Sequence, residues 1–238
     1  MGLTIHYELR SRRRMNRAAV LKITEQLRAM AKELGAEEVG EAFAVGPDYT
    51  GAYHWPRKHQ KFSDLVPPTE GWLCHVVPGD GSESVTLGLC RYKGLAGWRL
   101  RDFCKTQYAA RHGWEHFLAC HRMVVRLLRK AEELGLQVEV TDEGELWETG
   151  SEEQLRHKLG NYDRLVAGFT GVLKDALGGA AIVAPIVADA RFERLEAEGR
   201  QQHEAVFAQA AEVTRHWLRT GAAHDFSAKE ESPPYRTG

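Results

Sequence analysis

Residues 111–148 read RHGWEHFLACHRMVVRLLRKAEELGLQVEVTDEGELWE. Phe117, Cys120, Val124, Leu127, Leu128, Ala131 and Leu134 follow one another in steps of three and four, the spacing of one helical face. Gly135 is the expected residue just past the helix, because glycine takes the left-handed conformation without steric cost. Val138 and Val140 alternate with Glu139, the period of a half-buried strand. Asp142-Glu143-Gly144 is turn chemistry, so the stretch predicts a helix, a strand and an acidic turn.

This stretch holds the densest set of chemically useful side chains in the chain. On a helix, His112, His116 and Cys120 form a slanting row at i, i+4 and i+8, with His121 outside it. A helix running back along its following strand brings the helix start and the strand end to one edge. That placement predicts His112 and His116 near Asp142, Glu143 and Glu148, and makes His112, His116, Glu143 and Glu148 the acid/base candidates. Two imidazoles one turn apart suit a metal. The chain has no HExxH, no CxxC and no second His/Cys pair at ligand spacing, so no metal is assigned. Cys120 also fits the apolar face as a small hydrophobe.

Working towards the N-terminus, Leu3–Leu9 alternates as a strand with one buried face. RSRRRMNR follows, with five arginines between Arg10 and Arg17, a charge run suited to phosphate or to solvent. Val20, Ile23, Leu27, Met30, Ala31 and Leu34 make a helical stripe that ends at Gly35. Val39–Val45 is expected to be the next strand. AKELGAEEV (31–39) and AEELGLQVEV (131–140) share the order helix end, Leu-Gly, strand, an internal echo of a strand–helix–strand unit.

Residues 46–71 are Pro-rich and aperiodic, a loop of the length that often binds or covers something. Tyr53 and Trp55 beside Arg57 and Lys58 offer rings and cations for a flat ligand. Trp72–Val77 and Val85–Tyr92 form a hairpin across Pro78-Gly79-Asp80-Gly81-Ser82. Residues 98–109 are expected to lead into the central helix, with Lys105 and Gln107 lining a pocket at its start. Cys104 beside Lys105 is a candidate for a thiol of lowered pKa.

Beyond the central stretch, Ser151-Glu152-Glu153-Gln154 has the form of a capping box and opens a helix carrying Gly160, Gly168 and Gly171. A last helix is expected over 190–219, its apolar stripe packed on those glycines or on a second copy in a homodimer. The segment from 221 has the composition of a disordered tail.

The element order predicts an α+β fold: a ferredoxin-like two-layer sandwich, in which a strand–helix–strand unit is duplicated around a hairpin, followed by C-terminal helices. The domain spans 1–148, the helical part 149–220 and the tail 221–238. Of 238 residues 43% are hydrophobic, which excludes wholesale disorder, and a net charge of −1 gives no global field for nucleic acid. Without an export signal, Cys74, Cys90, Cys104 and Cys120 are expected to be free thiols of a soluble cytoplasmic protein.

No P-loop, GxGxxG or GxSxG is present, and no cofactor is assigned. The expected function is a module that binds a small molecule or a protein partner. Its alternatives are a hydrolase-type enzyme at the histidines and carboxylates, and a nucleic-acid binder through Arg10–Arg17 and residues 53–62. No membrane association is expected.

Overall fold

The structure, a computed structural model, describes residues 3–12, 14–54, 65–177 and 184–220. The fold is α+β. The chain divides into two compact units, 1–160 and 161–238, twelve residues after the boundary expected from the sequence.

In the first unit β1 (Thr4–Ser11) leads to α1 (Arg17–Glu33). The arginine-rich link is pinned at both ends. Ser11 N–H donates to the Trp98 carbonyl, and Trp98 Nε1 donates to the Met15 carbonyl. Asn16 caps α1 by accepting from the Ala19 N–H at 2.8 Å. Short strands β2 (Glu38–Val39) and β3 (Phe43–Val45) replace the single strand expected over 39–45. They are followed by β4 (Pro68–Val77), β5 (Val85–Tyr92), β6 (Arg99–Lys105), α2 (Trp114–Glu133) and β7 (Leu136–Asp142). A four-residue helix α3 (Leu146–Thr149) precedes α4 (Glu152–Ala176). Ser151 Oγ accepts from the Gln154 N–H, as the capping box requires.

The sheet order is β2-β4-β5-β6-β1-β7, with β3 also on β4, and every pairing is antiparallel. β6 is the element that the sequence reading passed over. Its inward positions are Leu100, Asp102 and Cys104, and its outward ones include Phe103, which is 44% exposed. An inward acid and an outward ring erase the alternation by which a strand is recognised. β6 nonetheless fills the place beside β1.

Ile5, Tyr7 and Leu9 of β1 meet Val20, Ile23 and Leu27 of α1 and Val124, Leu127 and Leu128 of α2 in one core. Each such aliphatic side chain contributes roughly 1.5–3 kcal/mol when fully buried. A smaller core gathers Leu3, Phe117, Leu118, Leu146, Leu155 and Leu159. Gly35 and Gly135, at φ 75° and 89°, end their helices alike, so the internal echo holds at the caps. It stops there, because α1 is followed by a two-residue strand at the edge of the sheet and α2 by a seven-residue strand beside β1.

β5 and β6 share one registered pair, Cys90 with Arg99. Farther along β5, the Tyr7 hydroxyl donates to the Thr86 carbonyl at 2.7 Å and accepts from the Thr86 N–H at 3.1 Å. A side chain from β1 thus occupies both backbone groups of Thr86.

In the second unit, the helix expected over 190–219 is two, α5 (Phe192–Gln202) and α6 (Glu204–Thr220), separated where His203 leaves helical geometry at φ −127°. The glycine stripe of α4 receives α5. A Cβ on Gly199 would lie 1.9 Å from the Arg164 carbonyl oxygen, and one on Gly168 would lie 2.5 Å from Cε2 of Phe207. Leu195 and Phe207 are buried, while Val206 and Trp217 are 59% and 55% exposed. Among the described residues no helix is long and apolar enough to cross a membrane.

Candidate binding cleft beside His116

The β4–β5 turn, Pro78 to Ser82, folds against α2 because two glycines let it approach. A Cβ on Gly79 would sit 2.7 Å from the Cys120 sulfur and 3.0 Å from Cε1 of His116. Gly81, at φ 80°, faces the Tyr108 carbonyl, where a Cβ would lie 2.6 Å from the oxygen. This turn and the end of α1 bound a cleft of about 480 Å³ over the middle of α2. Leu34, Pro78, Ala119 and Met123 supply its apolar lining, and His116, Asp80, Glu37, Arg126 and Arg122, the last paired with Glu152, its polar one. Arg126 and Glu37 make no ion pair with a described residue.

Asp80 organises the polar end. Arg111 Nη2 donates to Asp80 Oδ1 at 2.7 Å, and His112 Nε2 lies 2.9 Å from Asp80 Oδ2. The same His112 nitrogen is 2.8 Å from Arg111 Nε. It cannot carry a proton towards Asp80 and also accept from Arg111, so the tautomer that serves the carboxylate excludes the second bond. Partial desolvation pushes the Asp80 carboxyl up. The charge and hydrogen bond of Arg111, then His112, outweigh this and hold it below the usual range. More than half of the Asp80 side chain is exposed, so the pair contributes little to stability.

His116 Nε2 is 2.9 Å from the Asp80 carbonyl oxygen. A carbonyl only accepts, so this nitrogen carries the proton. Cys120 Sγ lies 3.7 Å from the same nitrogen, which therefore has no lone pair for the thiol. Burial pushes the Cys120 thiol up to about 11, so it stays protonated at neutral pH. The cleft contains an imidazole and a thiol in contact without the thiolate that nucleophilic chemistry needs.

The structure brings His112 and His116 together, with ring centroids 5.1 Å apart, but on different elements. His112 ends the 3-10 turn Gln107–His112, and Gly113 at φ 96° separates it from α2, so the continuous i, i+4 helical row is not formed. Neither histidine has Glu143 or Glu148 as a partner, in contrast to the topological expectation. Glu143 Oε2 accepts from the Thr4 N–H at 2.9 Å, and Glu148 Oε1 from the Asp142 N–H at 3.2 Å. Both carboxylates serve backbone ends.

His121, outside the predicted row, is the histidine that reaches the acidic turn. Its Nε2 lies 3.1 Å from Asp142 Oδ2 and its Nδ1 2.7 Å from Thr106 Oγ1, all fully or nearly fully buried. Asp142 also accepts from the Gly144 and Trp147 N–H groups. Burial pushes its carboxyl up, but His121 and these N–H groups more than reverse that, leaving it below the ordinary value. Thr106 has no exposure, so the chain resembles a catalytic triad only in its residue types and works as an internal tie.

Gln107 is 5% exposed, and its amide nitrogen and oxygen both lack a hydrogen-bond partner among the described residues. Lys105 lies across from Glu83, 3.8 Å away. Tyr53 is half-buried, and Trp55, Arg57 and Lys58 lie outside the described residues. Cys104 is not activated by Lys105. Successive residues of a strand point to opposite faces, and burial pushes the Cys104 thiol up to about 12. Among the described residues no three His, Cys, Asp or Glu side chains gather as a metal-binding set. Compared with protein-family models, curated proteins and solved structures, the chain matches none.

Proposed function

We propose that the chain is a binding module whose ligand site is the cleft beside His116. The observation that carries this reading is the cleft itself, a concavity of small-molecule size with an apolar lining and a few convergent polar groups. Arg126 and Glu37 supply one cation and one carboxylate not engaged in described ion pairs. That lining suits a small molecule with an apolar body and a polar or zwitterionic head. The protonated thiol and the engaged Nε2 atoms of His112 and His116 favour binding over catalysis.

The first unit is, in this reading, a ferredoxin-like core with edge strands added. The run β7-β1-β6-β5 with α1 and α2 supports it: β1 lies between β6 and β7, and both helices pack on one face. The hydrolase-type alternative is less favoured, because Glu143 and Glu148 serve backbone N–H groups.

The test is a fragment library screened by two-dimensional NMR on the labelled full chain. Binding should shift the amides of Gly79, Asp80, His116 and Ala119 together, and Ala119→Leu, which puts a bulkier side chain into the cleft from α2, should abolish those shifts while leaving distant peaks in place. A screen in which no fragment moves these amides would overturn the reading.

A further inference from the structure

On the face of the sheet away from α1 and α2, His6 of β1 and Phe103 of β6 are cross-strand partners. Their ring centroids are 5.9 Å apart at 45°, and Phe103 is 44% exposed. A ring that large on the outside of a central strand gives up burial that an inward position would supply. Around the pair, Arg10, Arg99, Arg101 and Lys105 share this face with two carboxylates, Glu8 and Glu139. Arg10 holds both of these: it bonds Glu8 at 2.7 Å through two nitrogens and reaches Glu139 at 3.2 Å. Lys105 lies over the Phe103 ring at 5.4 Å, with Glu83 at 3.8 Å. Arg101 is exposed and makes no ion pair with a described residue. Thr141, the partner of His6 on β7, adds an exposed hydroxyl beside the rings.

We propose that this face binds single-stranded nucleic acid, its bases stacked on His6 and Phe103 and its phosphates met by Arg101 and Lys105. Charge complementarity chooses this occupant. With Glu83 beside Lys105 the patch carries four cations against three carboxylates, a local excess of one positive charge in a chain whose net charge is −1, and Arg101 is a cation with no ion pair to a described residue. Exposed rings on the central strands of an open sheet are the surface on which unpaired bases stack, and every base has a π-face to offer. A duplex buries its bases and meets a flat sheet only with its backbone, so the preference is for single strands. The surface surrounding the ring pair is charged rather than apolar, unlike the core of a protein–protein contact. The site shares no residue with the cleft beside His116, and each can fail without the other.

The experiment is fluorescence anisotropy of labelled oligouridylate and oligodeoxythymidylate with the full chain, across a series of KCl concentrations. The wild type should bind both at low salt and lose affinity as salt rises. Phe103→Ala should weaken binding roughly 5- to 150-fold, the effect of losing one stacking platform, and Phe103→Tyr should restore it. Arg101→Ala should lower the slope of affinity against salt by about 0.7, one phosphate contact on a single strand. Absence of binding at low salt would overturn the proposal. So would binding unchanged in both Phe103→Ala and Arg101→Ala, or equal competition by duplex. A dimer that Phe103→Ala dissolves and oligonucleotide does not would make a second copy the occupant, and overturn it too.

Discussion

Nε2 of His121 lies 3.1 Å from Oδ2 of Asp142, and neither side chain is exposed to solvent. One imidazole and one carboxylate tie the middle of α2 to the end of β7, while Thr106 beyond β6 holds the other ring nitrogen. An unsatisfied buried polar group is costly, and here Asp142 is satisfied several times over, accepting from His121, Gly144 and Trp147.

Asp142→Asn should therefore destabilise the first unit. The amide NH₂ must replace one oxygen, and each oxygen faces a backbone N–H, so one buried donor is left unpaired at a cost of about 1–3 kcal/mol. The sign of the pH effect follows from the carboxyl's lowered folded value. Its contribution is whole above the unfolded carboxylate value of about 3.9 and is lost as pH falls through the lower folded value. In urea unfolding the gap between wild type and Asp142→Asn should shrink below about pH 4. A gap constant from neutrality into acid would show that Asp142 is not a charged acceptor.

The four cysteines should be silent in the native protein. Burial raises Cys74, Cys90 and Cys104 to about 12 and Cys120 to about 11. All four are free and buried. At neutral pH a thiol reagent should react with almost none of them in native buffer and with all four in guanidinium. Rapid native modification of Cys120 would mean that the turn carrying Gly79 opens readily.

Gly199→Ala should force α4 and α5 apart, because the new Cβ would lie 1.9 Å from a backbone oxygen that no rotamer can move. Overpacking of this kind costs about 1–3 kcal/mol. Gly46→Ala, with nothing within 4 Å of its Cβ, is the control and should stay within about 0.5 kcal/mol of wild type. Thermal melting of the two variants compares them directly. Equal melting temperatures would mean that the helices do not cross at these glycines.

The central helix, its Gly135 cap and the strand after it were legible because apolar spacing and one glycine specify them locally. The hairpin 72–92 was legible for the same reason, though β4 begins four residues earlier than its alternation shows. β6 was not, because Asp102 points inward and Phe103 outward, and the sheet decides that, not the neighbouring residues. His112 and His116 were expected beside Glu143 and Glu148, whereas both lie beside Asp80. A turn residue such as Asp80 looks like any turn residue until Gly79 and Gly81 let the backbone close on α2. His121 carried a faint signal: it sits one residue from the apolar face, where a polar group needs an internal partner.

The Tyr7 hydroxyl, bonded to both backbone groups of Thr86, makes one stretch of the sheet a stitched seam instead of a woven one. A ladder slips or frays one rung at a time, whereas a phenol either sits in its slot or leaves it. The rotation of a single buried ring therefore makes or breaks this direct tie between β5 and β1 across the strand between them.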